Sequence, residues 1–290
     1  MSIDILQDKI RKLKNPSMVD FTVRQQEIPG YLLEEEGSFI KAYVRFCTEL
    51  MEGLKGLIPA VRFPFSMFAV HGEEGLSGLR KLLTAARDIG FYVLLDSPQI
   101  LTPWNAEAAA QLLVEGAFPA DAMLIVPYIG SDSIRPFVDV CKNSGKALFC
   151  IVRSPNKSAA ELQDLMTGSR LVQGAAAELV NRFGEQTSGK YGYTQIAAAA
   201  SAGSPDSLRT LRSKFNRTFI LVDGLDYPSG NAKNCSYAFD QFGHGAVVCA
   251  GPSVTAAWQS VETDPREYVS HAVQAAERMK KNLNRYLNVL

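Results

Sequence analysis

The chain has 290 residues, 47% of them hydrophobic, and its 30 basic side chains balance its 30 acidic ones, so the formal charge is zero. Without a basic field there is nothing to hold a polyanion, and nucleic acid is excluded as an expected partner. Residues 1–14 form no basic-then-apolar leader, and no apolar run approaches the roughly 18 residues of a membrane span, so a soluble, cytoplasmic protein with no membrane partner is expected. Cys47, Cys141, Cys150, Cys235 and Cys249 are odd in number, widely spaced and mostly in apolar runs, which reads as reduced thiols rather than a disulfide framework.

In chain order, residues 2–14 form an amphipathic helix stopped by Asn15 and Pro16. A strand at 17–22 precedes a helix at 34–54, and a strand at 58–63 precedes a helix at 73–88 that Gly90 closes. The alternation continues with strand 91–95 and helix 105–115, strand 122–126 and helix 132–143, then strand 147–152 and a long helical region at 158–185 interrupted near Gly168. Strand 193–200 with helix 205–215, strand 218–222 with helix 232–242, and strand 245–250 with helix 265–287 complete the series.

Near-continuous apolar strands, each followed by a helix, require a parallel sheet buried on both faces. Eight such units predict a (β/α)8 TIM barrel, a single α/β domain over residues 1–290 with a short N-terminal helix. The alternative, a doubly wound open sheet, lacks its Gly-x-Gly-x-x-Gly fingerprint after any strand.

Barrel enzymes keep their chemistry at the C-terminal ends of the strands. Asp96 ends an apolar run at such a place, yet Ser97, Pro98, Gln99, Ile100 and Leu101 after it offer no general acid, no base and no partnered nucleophile. Asp20, Arg62, Arg153 and Asp223 also lie at or near predicted strand ends, so with Asp96 they can share one face. They fit a polar pocket in which Arg62 or Arg153 grips an anion, and equally an ion-pair network filling the mouth. His71, His244 and His271 stand apart without ligand spacing, so no metal site is expected, and no cofactor is implied.

The segment 127–137, PYIGSDSIRPF, resembles the Pro-Tyr-Leu-Gly-x-Asp-Ser-x-x-Pro-Phe segment of the longer bacterial branch of the orotidine 5'-monophosphate decarboxylases. Gly72, Gly75 and Leu76, the pair Asn15-Pro16, the run LQDL at 162–165, and Ala106-Glu107-Ala108 extend the similarity over nearly the whole chain. The resemblance implies a barrel, a place in pyrimidine biosynthesis, no cofactor and a homodimer. It also implies a tetrad of alternating Lys and Asp: Asp-x-Lys-x-x-Asp after the third strand, whose second Asp serves the partner subunit, and a Lys ending the second strand.

In that register Asp96 matches the first Asp, but Pro98 stands at the lysine that protonates the product carbon and Leu101 at the second Asp. Arg62 stands at the second-strand lysine, and a guanidinium with a pKa above about 12 is a poor proton donor. Thr22 replaces the ribose-binding Asp, while Arg24 is kept. Where relatives hold phosphate on a Pro-Gly-Ile-Gly sequence and an arginine, this chain has Asp223-Gly224-Leu225-Asp226 and Gly251. Carboxylates there disfavour a phosphate dianion, by roughly 1 kcal/mol per pair at 4 Å in water.

The expected function is that of a catalytically degenerate lyase homologue, a binding or interaction protein. Asp96 and Arg62 are the remnants of the catalytic set, and Arg24, Arg153, Asp223 and Gly224 the candidate ligand-binding residues. The expected partners are a small-molecule anion or nucleotide and a second copy of the chain. Two enzyme readings stay open: decarboxylation by a non-standard proton donor, and a changed reaction on another ligand. Paired titratable groups in a genuine pocket favour the latter, whereas a mouth plugged by Trp104, Phe65 or Leu101 favours an interaction protein.

Overall fold

The structure is a computed structural model describing residues 1–287; the last three residues of the expected domain lie outside the described part. Eight parallel strands close into a barrel: β1 (Ser17–Asp20), β2 (Ala60–Phe63), β3 (Tyr92–Asp96), β4 (Ala122–Ile125), β5 (Ala147–Arg153), β6 (Ile196–Ser201), β7 (Ile220–Asp223) and β8 (Ala246–Ala250). Each pairs with its sequence neighbours, and β8 pairs with β1 through Ser17 opposite Val248 and Val19 opposite Ala250. The strands are buried almost throughout because barrel interior and helical jacket cover both faces. The expected (β/α)8 barrel is the fold.

The helix Ser2–Leu13 closes the N-terminal end of the barrel. Ser2 Oγ meets the Tyr92 hydroxyl at 2.8 Å, Ile3 N–H donates to Gln195 Oε1 at 2.8 Å, and Gly245 N–H donates to Gln7 Oε1 at 3.0 Å. These contacts reach the start of β3 and the segments just before β6 and β8. The helix covers the end of the barrel opposite the C-terminal mouth.

Three helical expectations change locally. The 34–54 helix is two, Gly30–Glu36 and Phe39–Leu54, because the first ends at Gly37 and Ser38 starts the second by accepting from Lys41 N–H. The 158–185 region holds a 3-10 turn at Lys157–Glu161, a two-stranded hairpin (Met166–Thr167 with Arg170–Leu171) and only then the helix Val172–Gly184. The 232–242 helix stops at Ser236, since Asp240 Oδ1 accepts from both Phe242 N–H and His244 N–H and holds a turn instead. A short helix at Phe65–Ala69 was not expected; five residues are too few to show a period.

The glycines of the 72–76 segment have a structural reason. A Cβ on Gly75 would lie 1.9 Å from the Phe68 carbonyl oxygen, so the helix Gly72–Ile89 crosses the short helix Phe65–Ala69 at backbone contact. That crossing fixes the loop after β2 and with it the wall of the mouth formed by Phe65 and Met67. Among the described residues, no helix is long and apolar enough to cross a membrane.

Candidate functional site

Asp20, Asp96 and Asp223 are the last residues of β1, β3 and β7, and Arg62 is the penultimate residue of β2. Parallel register places Asp20 opposite Arg62, so these side chains emerge at one level of the mouth. Arg62 Nε donates to Asp96 Oδ1 at 2.7 Å and Nη2 to Asp96 Oδ2 at 2.9 Å, a two-pronged grip that suits a planar guanidinium. Nη1 donates to Asp223 Oδ2 at 3.0 Å and lies 3.7 Å from Asp20 Oδ2. One cation, only 11% exposed in its side chain, therefore carries three carboxylates.

The acids are held from behind as well. Asp20 Oδ1 accepts from Thr22 N–H at 2.9 Å and Thr22 Oγ1–H at 2.7 Å, and Asp223 Oδ1 accepts from Gly224 N–H at 2.8 Å. Burial pushes the Asp20 carboxyl up to about 6; Arg62 pulls it down, while Asp96 and Asp223 push it up. Burial works against the charge of Arg62, but Asp96, Asp20 and Asp223 outweigh it and hold the guanidinium well above its ordinary value. Arg62 is locked as a cation with three of its N–H donors held by Asp96 and Asp223, and the Asp20 carboxyl beside it is pushed up to about 6.

Above the cluster opens a cavity of about 650 Å³, a size typical of small-molecule sites. Phe65, Met67, Pro98, Ile100, Leu124 and Ile151 form its apolar wall, and no lysine or histidine lines it. The Tyr128 hydroxyl donates to the Val152 carbonyl, and burial pushes it up to about 12, so it holds its proton. The mouth is open: Trp104 is 78% exposed and does not line the cavity, Leu101 lines it but is 64% exposed, and Phe65 stands in its wall. The Cys249 thiol is buried, and burial holds its pKa well above the ordinary value, so it stays a thiol.

The other candidates divide. Asp223 and Gly224 border a second hollow of about 410 Å³ between the loops after β7 and β8, together with Arg24. Arg24 Nε donates to Glu27 Oε1 at 2.9 Å, so its charge is already matched. Arg153 does not line the mouth: its Nε and Nη2 bind Asp164 at 2.9 and 3.0 Å, and its Nη1 donates to the Ser154 carbonyl. A register shift in β5 between Ile151 and Arg153 accounts for this, presenting Ile151 to the cavity instead. Asp226, seen in sequence only as an added negative charge, donates nothing and accepts the Gly251 N–H on Oδ2. Its partner lies 25 residues away, so no local pattern announces the contact.

The raised Asp20 carboxyl has a signed consequence for stability. The folded chain binds this proton more tightly than the unfolded chain, whose value is near 3.8, so the contribution is present below that value and is lost as pH rises through about 6. Across that window the loss is at most about 3 kcal/mol, at about 1.4 kcal/mol per pH unit. Asp20→Asn is expected to flatten unfolding free energy between about pH 4 and 7 and to stabilise the protein at neutral pH. Denaturant titrations at several pH values check this; an unchanged slope in the variant contradicts it.

No protein-family model matches the chain. The orotidine 5'-phosphate decarboxylase of Rhodopirellula baltica is 30% identical over 221 residues, covering 74% of this chain and 73% of that one. The enzyme of the same name from Clostridium novyi is 24% identical over 284 residues, 98% of each chain. Among solved structures, a Toxoplasma gondii protein named for orotidine-monophosphate decarboxylation superposes with a TM-score of 0.79 at 18% identity, over 97% of this chain and 98% of that one. The Leishmania donovani OMP decarboxylase superposes at 0.72 with 20% identity, over 97% and 98%. The barrel, its mouth and these relatives lead to one conclusion: the chain belongs to the orotidine 5'-phosphate decarboxylase family.

Proposed function

We propose that this chain has lost decarboxylation and serves as a non-catalytic small-molecule binding protein built on the decarboxylase barrel. The observation that carries this reading is the Arg62 cluster. Decarboxylation needs a proton donor at the carbanion carbon and a charge pattern that favours the transition state over the bound carboxylate. Among the described residues the mouth offers Pro98 and Leu101 after β3, no lysine in its lining, and an arginine already paired with Asp96 and Asp223. A pyrrolidine ring has no side-chain proton, so the acid is removed rather than weakened. The open cavity supports ligand binding over a plugged, purely structural mouth.

One observation favours a second reading. Asp20, pushed up to about 6 and facing the cavity beside Asp96 and Asp223, has the makings of a general acid or base for a different reaction. Self-association is also part of the proposal. Leu101, Trp104, Val126 and Ile129, in or just after the loops following β3 and β4, leave a large apolar surface exposed on the rim, which supports a homodimer formed across the mouth. The five buried, unpaired cysteines support a reducing, cytoplasmic setting.

Purified protein incubated with orotidine 5'-phosphate is expected to release no carbon dioxide above the buffer rate, and Pro98→Lys alone is expected not to restore release. Turnover by the unaltered protein overturns the proposal. Light scattering over a concentration series is expected to show a dimer that Trp104→Glu weakens at least tenfold; a monomer at every concentration removes the dimer from it.

A further inference from the structure

We infer that Asp226 decides which ligands the mouth admits, by standing in the hollow between the loops after β7 and β8 and leaving the main cavity to a neutral, hydroxyl-bearing ligand of nucleoside size. The inference rests on the mouth being a binding site, as proposed above. It starts from the path of the chain after β7. Gly224 turns at φ +76°, where a Cβ would lie 2.3 Å from the Pro155 side chain, so the backbone leaves the strand sharply. Tyr227 N–H then donates to the Gly224 carbonyl at 3.1 Å and Gly230 N–H to the Tyr227 carbonyl at 2.7 Å. The first of these turns holds Asp226 beside the end of β8, where its carboxylate takes the Gly251 N–H, and the second leads the chain away.

The back of this hollow is tight. A Cβ on Gly251 would lie 3.3 Å from the Asp20 carbonyl oxygen and 3.8 Å from Asp226 Oδ2. The backbone donor that an anionic group would need is therefore already held by a fixed anion of the chain itself. A phosphate placed there would also face Asp20 and Asp223, which border the same hollow. The cation on that side, Arg24, is matched by Glu27. Like charges at this spacing repel, and specificity gained by repulsion needs no attractive contact with the preferred ligand.

The main cavity has the opposite character. Its apolar wall suits the face of a ring, and Asp96 and Asp223 bring acceptor oxygens to its floor, where they suit hydroxyl donors. Arg62 faces three carboxylates, Asp20, Asp96 and Asp223, so the cluster carries no net positive charge with which to grip a second anion.

Calorimetric titration of the full-length protein with uridine and with uridine 5'-phosphate isolates the effect, since the two probes differ only by the phosphate. The unaltered protein is expected to bind uridine at least tenfold more tightly. Asp226→Asn removes the charge while keeping an oxygen for the Gly251 N–H, and is expected to close that gap about tenfold by improving uridine 5'-phosphate alone. Thermal melts of Asp226→Asn and of Asp226→Ser establish that the fold is kept, and the serine variant is expected to shift the ratio in the same direction. Equal or tighter binding of uridine 5'-phosphate to the unaltered protein, no binding of uridine, or a ratio unmoved in both folded variants overturns the inference. Carbon dioxide release from orotidine 5'-phosphate is a separate readout, so failure of the non-catalytic reading is not confused with failure of this one.

Discussion

The mouth of this barrel is organised by a single guanidinium. Arg62 joins residues from β1, β3 and β7, strands that are not all neighbours, and it does so at a place where each carboxylate alone would be costly to bury. Removing water from three acids is tolerable only because one well-placed cation faces them all, and even then the balance falls short by charge. The cost appears at Asp20, whose carboxyl is pushed up to about 6 by burial first and by Asp96 and Asp223 in addition. Any ligand entering the cavity meets an array that is already paired internally, with acceptors to spare and few donors.

That arrangement separates two properties that a barrel enzyme normally combines. Binding depends on the cavity, which the loops after β2, β3 and β4 line and which remains open. Catalysis of decarboxylation depends on a proton donor aimed at one carbon, and the function proposed above rests on Pro98 in the loop after β3 having no proton to give. Fold is retained because its requirements lie elsewhere: the strands' buried apolar faces, the helix sealing the far end, and the backbone contact at Gly75 are all indifferent to what happens at the mouth. The architecture of a family barrel is thus independent of the chemistry at its mouth.

Much of this was legible in the sequence, and the reasons are specific. Eight apolar runs separated by helical periods left little choice but a closed parallel sheet, and Asp96 stood out because it ended one of those runs. Arg62, Asp96 and Asp223 were placed at strand ends by counting alone, and Asp20 with them. What the sequence did not disclose depends on contacts far apart in the chain or on small backbone irregularities. A register shift in β5 turned Arg153 from the mouth toward Asp164. Asp226 reaches Gly251 from within the turn that Tyr227 N–H closes on the Gly224 carbonyl, where Gly224 packs against Pro155. In the helical region expected over 158–185 with a break near Gly168, the helix holds over Val172–Gly184, while the break is a hairpin and the part before it a 3-10 turn, because those residues pair locally instead.

The claim that Arg62 holds the mouth together through Asp96 is tested most directly by a double-mutant cycle on unfolding free energy at neutral pH, using Arg62→Met, Asp96→Asn and the pair. Removing one member of a buried ion pair typically costs about 3–5 kcal/mol because the other is left uncompensated. The account predicts a strongly non-additive cycle, in which adding Asp96→Asn to Arg62→Met recovers a substantial part of that loss. Additive effects within about 0.5 kcal/mol would mean the two side chains act independently, and the account would be wrong at its centre.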